Sequence, residues 1–189
     1  KFPFGFKELE GIHSRTDFDL SAHEEFSGRK LQYFDPERNE SYVPYVVETS
    51  IGLDRMFLAL FSNSLKDEVL EDGSERTVLS LPPALAPVKA AILPLVKKDG
   101  LPEFAEKIFN DLKYDFNVIS EEKDSIGKRY RRQDAIGTPF CITVDHDSLA
   151  DNTVTLRERD TMKQERVKVE DLRRIIDEKV NFRTLLSKI

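Results

Sequence analysis

The sequence predicts an α/β fold with a mixed, partly parallel sheet flanked by helices. Three observations predict it. From residue 88 onward, short apolar runs alternate with amphipathic segments, the order that strands with crossover helices produce. Leu101, Phe104, Ala105, Ile108, Phe109 and Leu112 recur at helical spacing, with Pro102 in the first turn, where its missing N–H costs nothing. The stretch from Asp145-His146-Asp147 to Asp151-Asn152 is short and polar. It reads as a loop joining Phe140–Val144 to Thr153–Arg157 antiparallel, which makes the sheet mixed.

The remaining elements follow in chain order. Residues 1–34 have little regular period but carry Phe2, Phe4, Phe6, Phe18, Phe26, Tyr33 and Phe34. Strands and irregular connections against a partner surface are expected there. Tyr42–Val47 reads as a strand with an edge or irregular ladder at Pro44. Gly52–Phe61 reads as a helix whose Leu53, Met56, Phe57, Leu60 and Phe61 form one apolar stripe, with Ser50 as its expected N-cap. Polar residues 62–76 are expected to be a linker, so that two domains are anticipated, 1–75 and 76–189. Leu81 to Pro87, with three prolines, favours an extended path. Then come strands at Val88–Val96 and Phe116–Ile119, and a helix at Ser125–Ala135 ending before Gly137-Thr138-Pro139. Phe140–Val144, a half-exposed Thr153–Arg157 and Arg166–Val169 read as strands. Leu172, Ile175, Ile176 and Val180 mark a last amphipathic helix.

Composition narrows the function. With 39% apolar residues among 189, the chain has enough for a packed core. No apolar run is long enough to span a membrane, and the first residues form no signal peptide. Without an initiator Met, the chain is expected to begin inside a longer protein. The net charge of −6 is split: residues 1–76 hold 9 basic and 16 acidic residues for −7, and the rest come to +1. Such a split suggests two units with different tasks. Three histidines (His13, His23, His146) and one cysteine leave no convincing zinc set, and no metal site is expected. Cys141, between Phe140 and Ile142, reads as a buried small hydrophobe. No nucleophile elbow, dinucleotide loop or Walker sequence is present.

Two stretches carry chemistry. In Val46-Val47-Glu48-Thr49-Ser50-Ile51-Gly52-Leu53-Asp54-Arg55, a carboxylate ends an apolar strand, and an arginine follows one turn into a helix. Such a site suits an ammonium at Glu48 and a phosphate at Arg55. A surface charge and a helix-face cation fit the same residues. Lys123 to Arg132 is densely basic, which suits either phosphate binding or a solvated helix face.

Ile51-Gly52-Leu53-Asp54-Arg55 resembles motif 3 of class II aminoacyl-tRNA synthetases. Glu8-Leu9-Glu10-Gly11-Ile12, Arg15-Thr16-Asp17-Phe18-Asp19-Leu20, His23 and Ser27-Gly28 resemble glycyl-tRNA synthetases of the homodimeric type. Leu81 to Pro87, Gly127 to Asp134, Gly137 to Phe140 and Thr155 to Met162 are similar to the anticodon-binding domain shared by the glycine, histidine, proline and threonine enzymes. Thr49 stands where that family usually has proline, and His13 where it usually has a small residue.

The resemblance implies a part of the antiparallel catalytic domain over 1–75, followed by an anticodon-binding domain with a five-stranded sheet over 76–189. It implies ligation of glycine to tRNA(Gly) through glycyl-adenylate, with ATP as substrate accompanied by Mg2+, in a cytoplasmic homodimer. Glu8, Leu9, Gly52, Leu53, Asp54 and Arg55 fall on ATP-contacting positions, with Arg55 facing the γ-phosphate. Glu48, Thr49, Ser50, Ile51 and Gly52 fall on the glycine site. Lys128, Arg129, Arg131, Arg132, Arg157 and Arg159 are the candidates for tRNA, the last two sharing a strand face. Motifs 1 and 2 of the family have no counterpart here. The chain alone is therefore expected neither to activate glycine, nor to hold ATP tightly, nor to form the native dimer. The competing reading is a non-catalytic tRNA-binding or polymerase accessory module.

Overall fold

The computed structural model describes residues 1–187 and divides into two compact units, Lys1–Ser62 and Asn63 onward. In the first, β1 (Glu10–Thr16) leads into α1 (Phe18–Ser27), which ends at Gly28 in the left-handed conformation. β2 (Tyr33–Asp35) and β3 (Glu40–Tyr42) form a short hairpin. β4 (Val46–Ile51) pairs antiparallel with β1 and feeds α2 (Leu53–Ser64). Three expectations change here. The irregular region holds helix α1, whose apolar residues are too sparse to give a period. The strand expected at Tyr42–Val47 runs instead from Val46 to Ile51, because Pro44 has no N–H for a ladder. Ser50 is therefore a strand residue and not a cap; the Gly52 carbonyl accepts the first helical bond from Met56 N–H at 2.9 Å. Phe6, Phe18 and Phe26 are exposed, whereas Phe2 is buried.

The second unit opens with a hairpin, β5 (Leu65–Val69) and β6 (Glu75–Leu79), where a linker was expected. Its polar turn hides strand character: Gly73 adopts φ 77°, and the Asp72 carboxylate accepts from the N–H and hydroxyl of Ser74. A five-stranded sheet follows, in the order β11-β10-β9-β7-β8. Its strands are β7 (Ala90–Pro94), β8 (Val118–Ser120), β9 (Phe140–Val144), β10 (Thr153–Glu158) and β11 (Gln164–Lys168). β7 runs parallel to β8 and β9, while β10 is antiparallel to both its neighbours, so the sheet is mixed as expected.

β7 and β9 are buried on both faces, which explains their continuous apolar runs. One face (Ala90, Ile92, Ile142, Val154, Leu156) packs under α3 (Leu101–Leu112) and α6 (Leu172–Val180). Leu101, Ala105, Ile108 and Leu112 of α3, with Leu172 and Ile176 of α6, are the buried stripes. The other face (Ala91, Leu93, Cys141) packs against Ile126 and Tyr130 of α4 (Ile126–Ile136). Gly137 ends α4 at φ 84°, and a methyl there would lie 3.0 Å from the Leu79 carbonyl, so both backbone freedom and lack of bulk are required. The loop expected at 145–152 is a short helix, α5 (His146–Asp151), fixed by a capping box between Asp145 and Ser148. It still joins β9 to β10 antiparallel. The last helix of the described residues is α7 (Phe182–Leu186). No helix of the described residues is long and apolar enough to cross a membrane.

A buried ionic node locks the hairpin and α4 to the sheet. Asp134, with no exposed surface, accepts a bidentate pair from Arg157 at 2.8 and 3.0 Å. Its Oδ2 also accepts from Arg76 of β6 at 3.2 Å. Arg76 further donates to Glu68 at 2.7 Å and to the Arg159 carbonyl at 2.9 Å. Removing one partner of such a node strands the others in a dry site. Asp134→Ala should therefore lower unfolding stability by about 3–5 kcal/mol in urea titrations; a loss near zero would show that the node carries no such weight. Cys141 gives a second test. Burial pushes its thiol from 9.0 up to about 12. Between those pH values the unfolded thiol ionises and the folded one does not, so stability should fall as pH rises through that range. The native thiol should also resist alkylation at pH 8; rapid labelling of folded protein would contradict its burial.

Candidate functional site

The ladder between β1 and β4 assembles one site. Its register sets Gly11 opposite Ser50 and His13 opposite Glu48, so these four residues share a face. Glu48 lies within the strand and keeps 44% of its side chain exposed. Arg15, at the irregularity between Ser14 and Thr16 where the register shifts, brings its Nε to 3.5 Å from Glu48 Oε2. Two bonds to Asp19, at 2.7 and 2.8 Å, hold the Arg15 guanidinium. Those bonds raise the Arg15 pKa further above its ordinary value and hold the Asp19 carboxyl below the usual carboxylate range. The chain turns between the two at Thr16, at φ 52°, which the spacing of an arginine and an aspartate four apart did not reveal.

Where β4 ends, a cleft of about 570 Å³ gathers Glu8, Ser50, Ile51, Gly52, Asp54 and Arg55, with Leu9 and Leu53 completing its wall. Arg55 Nη1 donates to the Glu8 carbonyl at 2.7 Å, tying two segments more than forty residues apart. A methyl built on Gly52 would meet the Arg55 stem at ordinary contact distance. The first turn of α2 opens here, so unpaired backbone N–H groups and a guanidinium face one space. That combination favours a polyanion. Of the front candidates, the cleft gathers all six expected at the nucleotide, together with Ser50 and Ile51. Glu48 sits on the same strand face as Ser50, outside the cleft wall, and Thr49 points to the opposite face.

The rear candidates divide sharply. Arg159 is 1% exposed and donates to the carbonyls of Gly137 and Leu81, both at 2.7 Å, and to Asp160. Arg129 is equally buried and caps the Pro94, Leu95 and Glu121 carbonyls, with Nε left without a partner. Desolvation lowers its pKa. Both side chains are occupied by the fold and do not reach solvent. Arg157 and Arg159 do not form the expected exposed pair.

Lys128, Arg131, Arg132 and Arg157 do converge, lining a second cavity of about 570 Å³ with Tyr130 and Gln164. Burial works against the Arg157 charge, but its bonds to Asp134 outweigh that, and its pKa is raised. Its guanidinium lies 4.8 Å from the Tyr130 ring centre. Arg132 is bound to Glu121 and Asp124, while Lys128 is exposed. Tyr130, whose hydroxyl bonds Thr143 at 2.6 Å, was not singled out from sequence; it reads there as an ordinary member of a basic helix.

Residues 89–179 match the family described as anticodon binding domain. The chain is 57% identical over 167 residues to the glycine--tRNA ligase of Chlorobaculum tepidum, covering 88% of this chain and 35% of that protein. It is 56% identical over 182 residues to the glycine--tRNA ligase of Macrococcus caseolyticus, covering 96% and 39%. It thus spans somewhat more than a third of the length of these relatives. In fold it resembles the crystal structure of the RNA binding domain of threonyl-tRNA synthetase from Cryptosporidium parvum, with a TM-score of 0.61 at 21% identity over 79% of this chain and 35% of that one. The chain is a relative of the glycine--tRNA ligases, and its second unit contains an anticodon binding domain.

Proposed function

We propose that this chain forms part of a glycine--tRNA ligase and supplies one wall of the site where glycine and ATP become glycyl-adenylate. The observation that carries this is the single cleft joining Glu8 to Ser50, Gly52 and Arg55, on the same ladder as Glu48. Glycine offers only an ammonium and a carboxylate. Glu48 meets the ammonium through the oxygen that Arg15 leaves free, and the Ser50 hydroxyl adds a hydrogen bond. The triphosphate lies against the first turn of α2 and Arg55. The glycine carboxylate oxygen attacks the α-phosphorus, a new C–O–P bond forms, and the bond to the β-phosphate oxygen breaks. The electron pair leaves with pyrophosphate, whose developing charge Arg55 stabilises. Mg2+ accompanies ATP as part of that substrate. The same ligase then passes glycine to the tRNA 3′ end, in the cytoplasm and as a homodimer.

In the second unit, the basic cavity under α4 receives single-stranded bases of tRNA(Gly), with Tyr130 as a stacking face and Lys128 and Arg131 on phosphates. A non-catalytic accessory module would need this unit alone. The cleft around Arg55 supports the catalytic reading over it.

Glycine-dependent ATP–pyrophosphate exchange by the complete ligase tests the front site. Arg55→Ala should cut kcat/KM by about 10²–10³-fold, and Glu48→Gln should raise the KM for glycine; normal exchange in both variants would refute the assignment. For the second unit, Lys128→Ala and Arg131→Ala should each weaken tRNA binding and lower the slope of log K against log salt by about 1. Unchanged slopes would remove these two residues from the interface.

A further inference from the structure

We propose that Asp19 is a positioning residue for the amino-acid site: its carboxylate occupies the Arg15 guanidinium and so keeps Glu48 open to the substrate ammonium. The inference rests on the functional reading above and deepens it.

Two carboxylates compete for one guanidinium. Arg15 donates from Nε to Asp19 Oδ2 at 2.7 Å and from Nη2 to Asp19 Oδ1 at 2.8 Å. The same Nε stands 3.5 Å from Glu48 Oε2. Asp19 therefore holds one whole edge of the flat guanidinium, and Glu48 meets it at longer range, chiefly through charge.

The backbone builds this arrangement. β1 loses its register between Ser14 and Thr16, and Thr16 turns the chain into α1 at φ 52°. Asp19, in the first turn of α1, is thereby brought against Arg15. The positive end of the helix also favours a carboxylate there. All three side chains stay partly exposed, so a ligand ammonium can reach Glu48.

Charge decides what Asp19 does. With Arg15 and Glu48 alone, the guanidinium would close on Glu48 and engage both of its oxygens, the paired geometry that arginine and carboxylate favour. A glycine ammonium would then have to displace it. With Asp19 present, two carboxylates share one cation, and the uncompensated negative charge falls to Glu48. A substrate ammonium restores the balance. The long arginine is also ordered before the substrate arrives, which removes that entropy cost from binding.

The test measures KM for glycine and for ATP in ATP–pyrophosphate exchange by the complete ligase. Asp19→Asn should raise the KM for glycine by about fivefold and leave that for ATP in place. Asp19→Glu, which keeps the charge, should bring the glycine KM back near that of the unaltered protein. In an Arg15→Met background, Asp19→Asn should change the glycine KM no further, because its effect runs through that guanidinium. Asp19→Ser serves as a second charge-removing variant, and circular dichroism checks that each one folds. An unchanged glycine KM in both charge-removing variants, an equal rise for glycine and ATP, or full additivity with Arg15→Met would overturn the role of Asp19. Glu48→Gln separates the two levels. If it raises the glycine KM and the Asp19 variants do not, this inference alone fails; if none of them does, the functional reading fails as well.

Discussion

The packing of the second unit turns on one buried anion, Asp134, which gathers Arg157, Arg76 and, at 3.7 Å, Arg131. Its carboxylate is completely buried and holds Arg157 by two bonds and Arg76 by one. Removing two or more charges from water is costly, and only dense pairing offsets it. The node therefore ties β6, α4 and β10 together, and it holds the Arg157 guanidinium 4.8 Å from the Tyr130 ring centre.

A different constraint organises the first unit. One two-stranded ladder brings Glu10–Thr16 against Val46–Ile51, and its register fixes which side chains share a face. A slip by one residue would turn Glu48 and Ser50 to the opposite side, away from His13 and Gly11. Arg55 then closes the corner by bonding the Glu8 carbonyl. Ligand chemistry in both units thus depends on contacts between distant parts of the sequence.

That dependence sets what sequence reading could reach. The second unit was legible where one signal dominated: α3 from its apolar stripe, β7 and β9 from continuous apolar runs, and α4 from its closing Gly137. Helix α5 was missed because Asp145 and Ser148 read as turn residues and act as a cap only when their mutual bonds form. The β5–β6 hairpin was missed because its outward residues are charged. For the site, the run from Glu48 to Arg55 was visible as a carboxylate, a glycine and a cation at suggestive spacing. The fate of the arginines was not. Arg129 and Arg159 look identical to Arg131 in sequence, and only packing turns these two onto backbone carbonyls. Likewise Arg15 acquires meaning only from its approach to Glu48 across the ladder.

Hydrogen exchange on the complete ligase, with and without a non-hydrolysable glycyl-adenylate analogue, tests most directly whether β1, β4 and α2 form one substrate site. Peptides covering residues 8–15 and 46–56 should slow together when the analogue binds. Saturable binding of the analogue that leaves both peptides unchanged would contradict the placement of the reaction in this cleft.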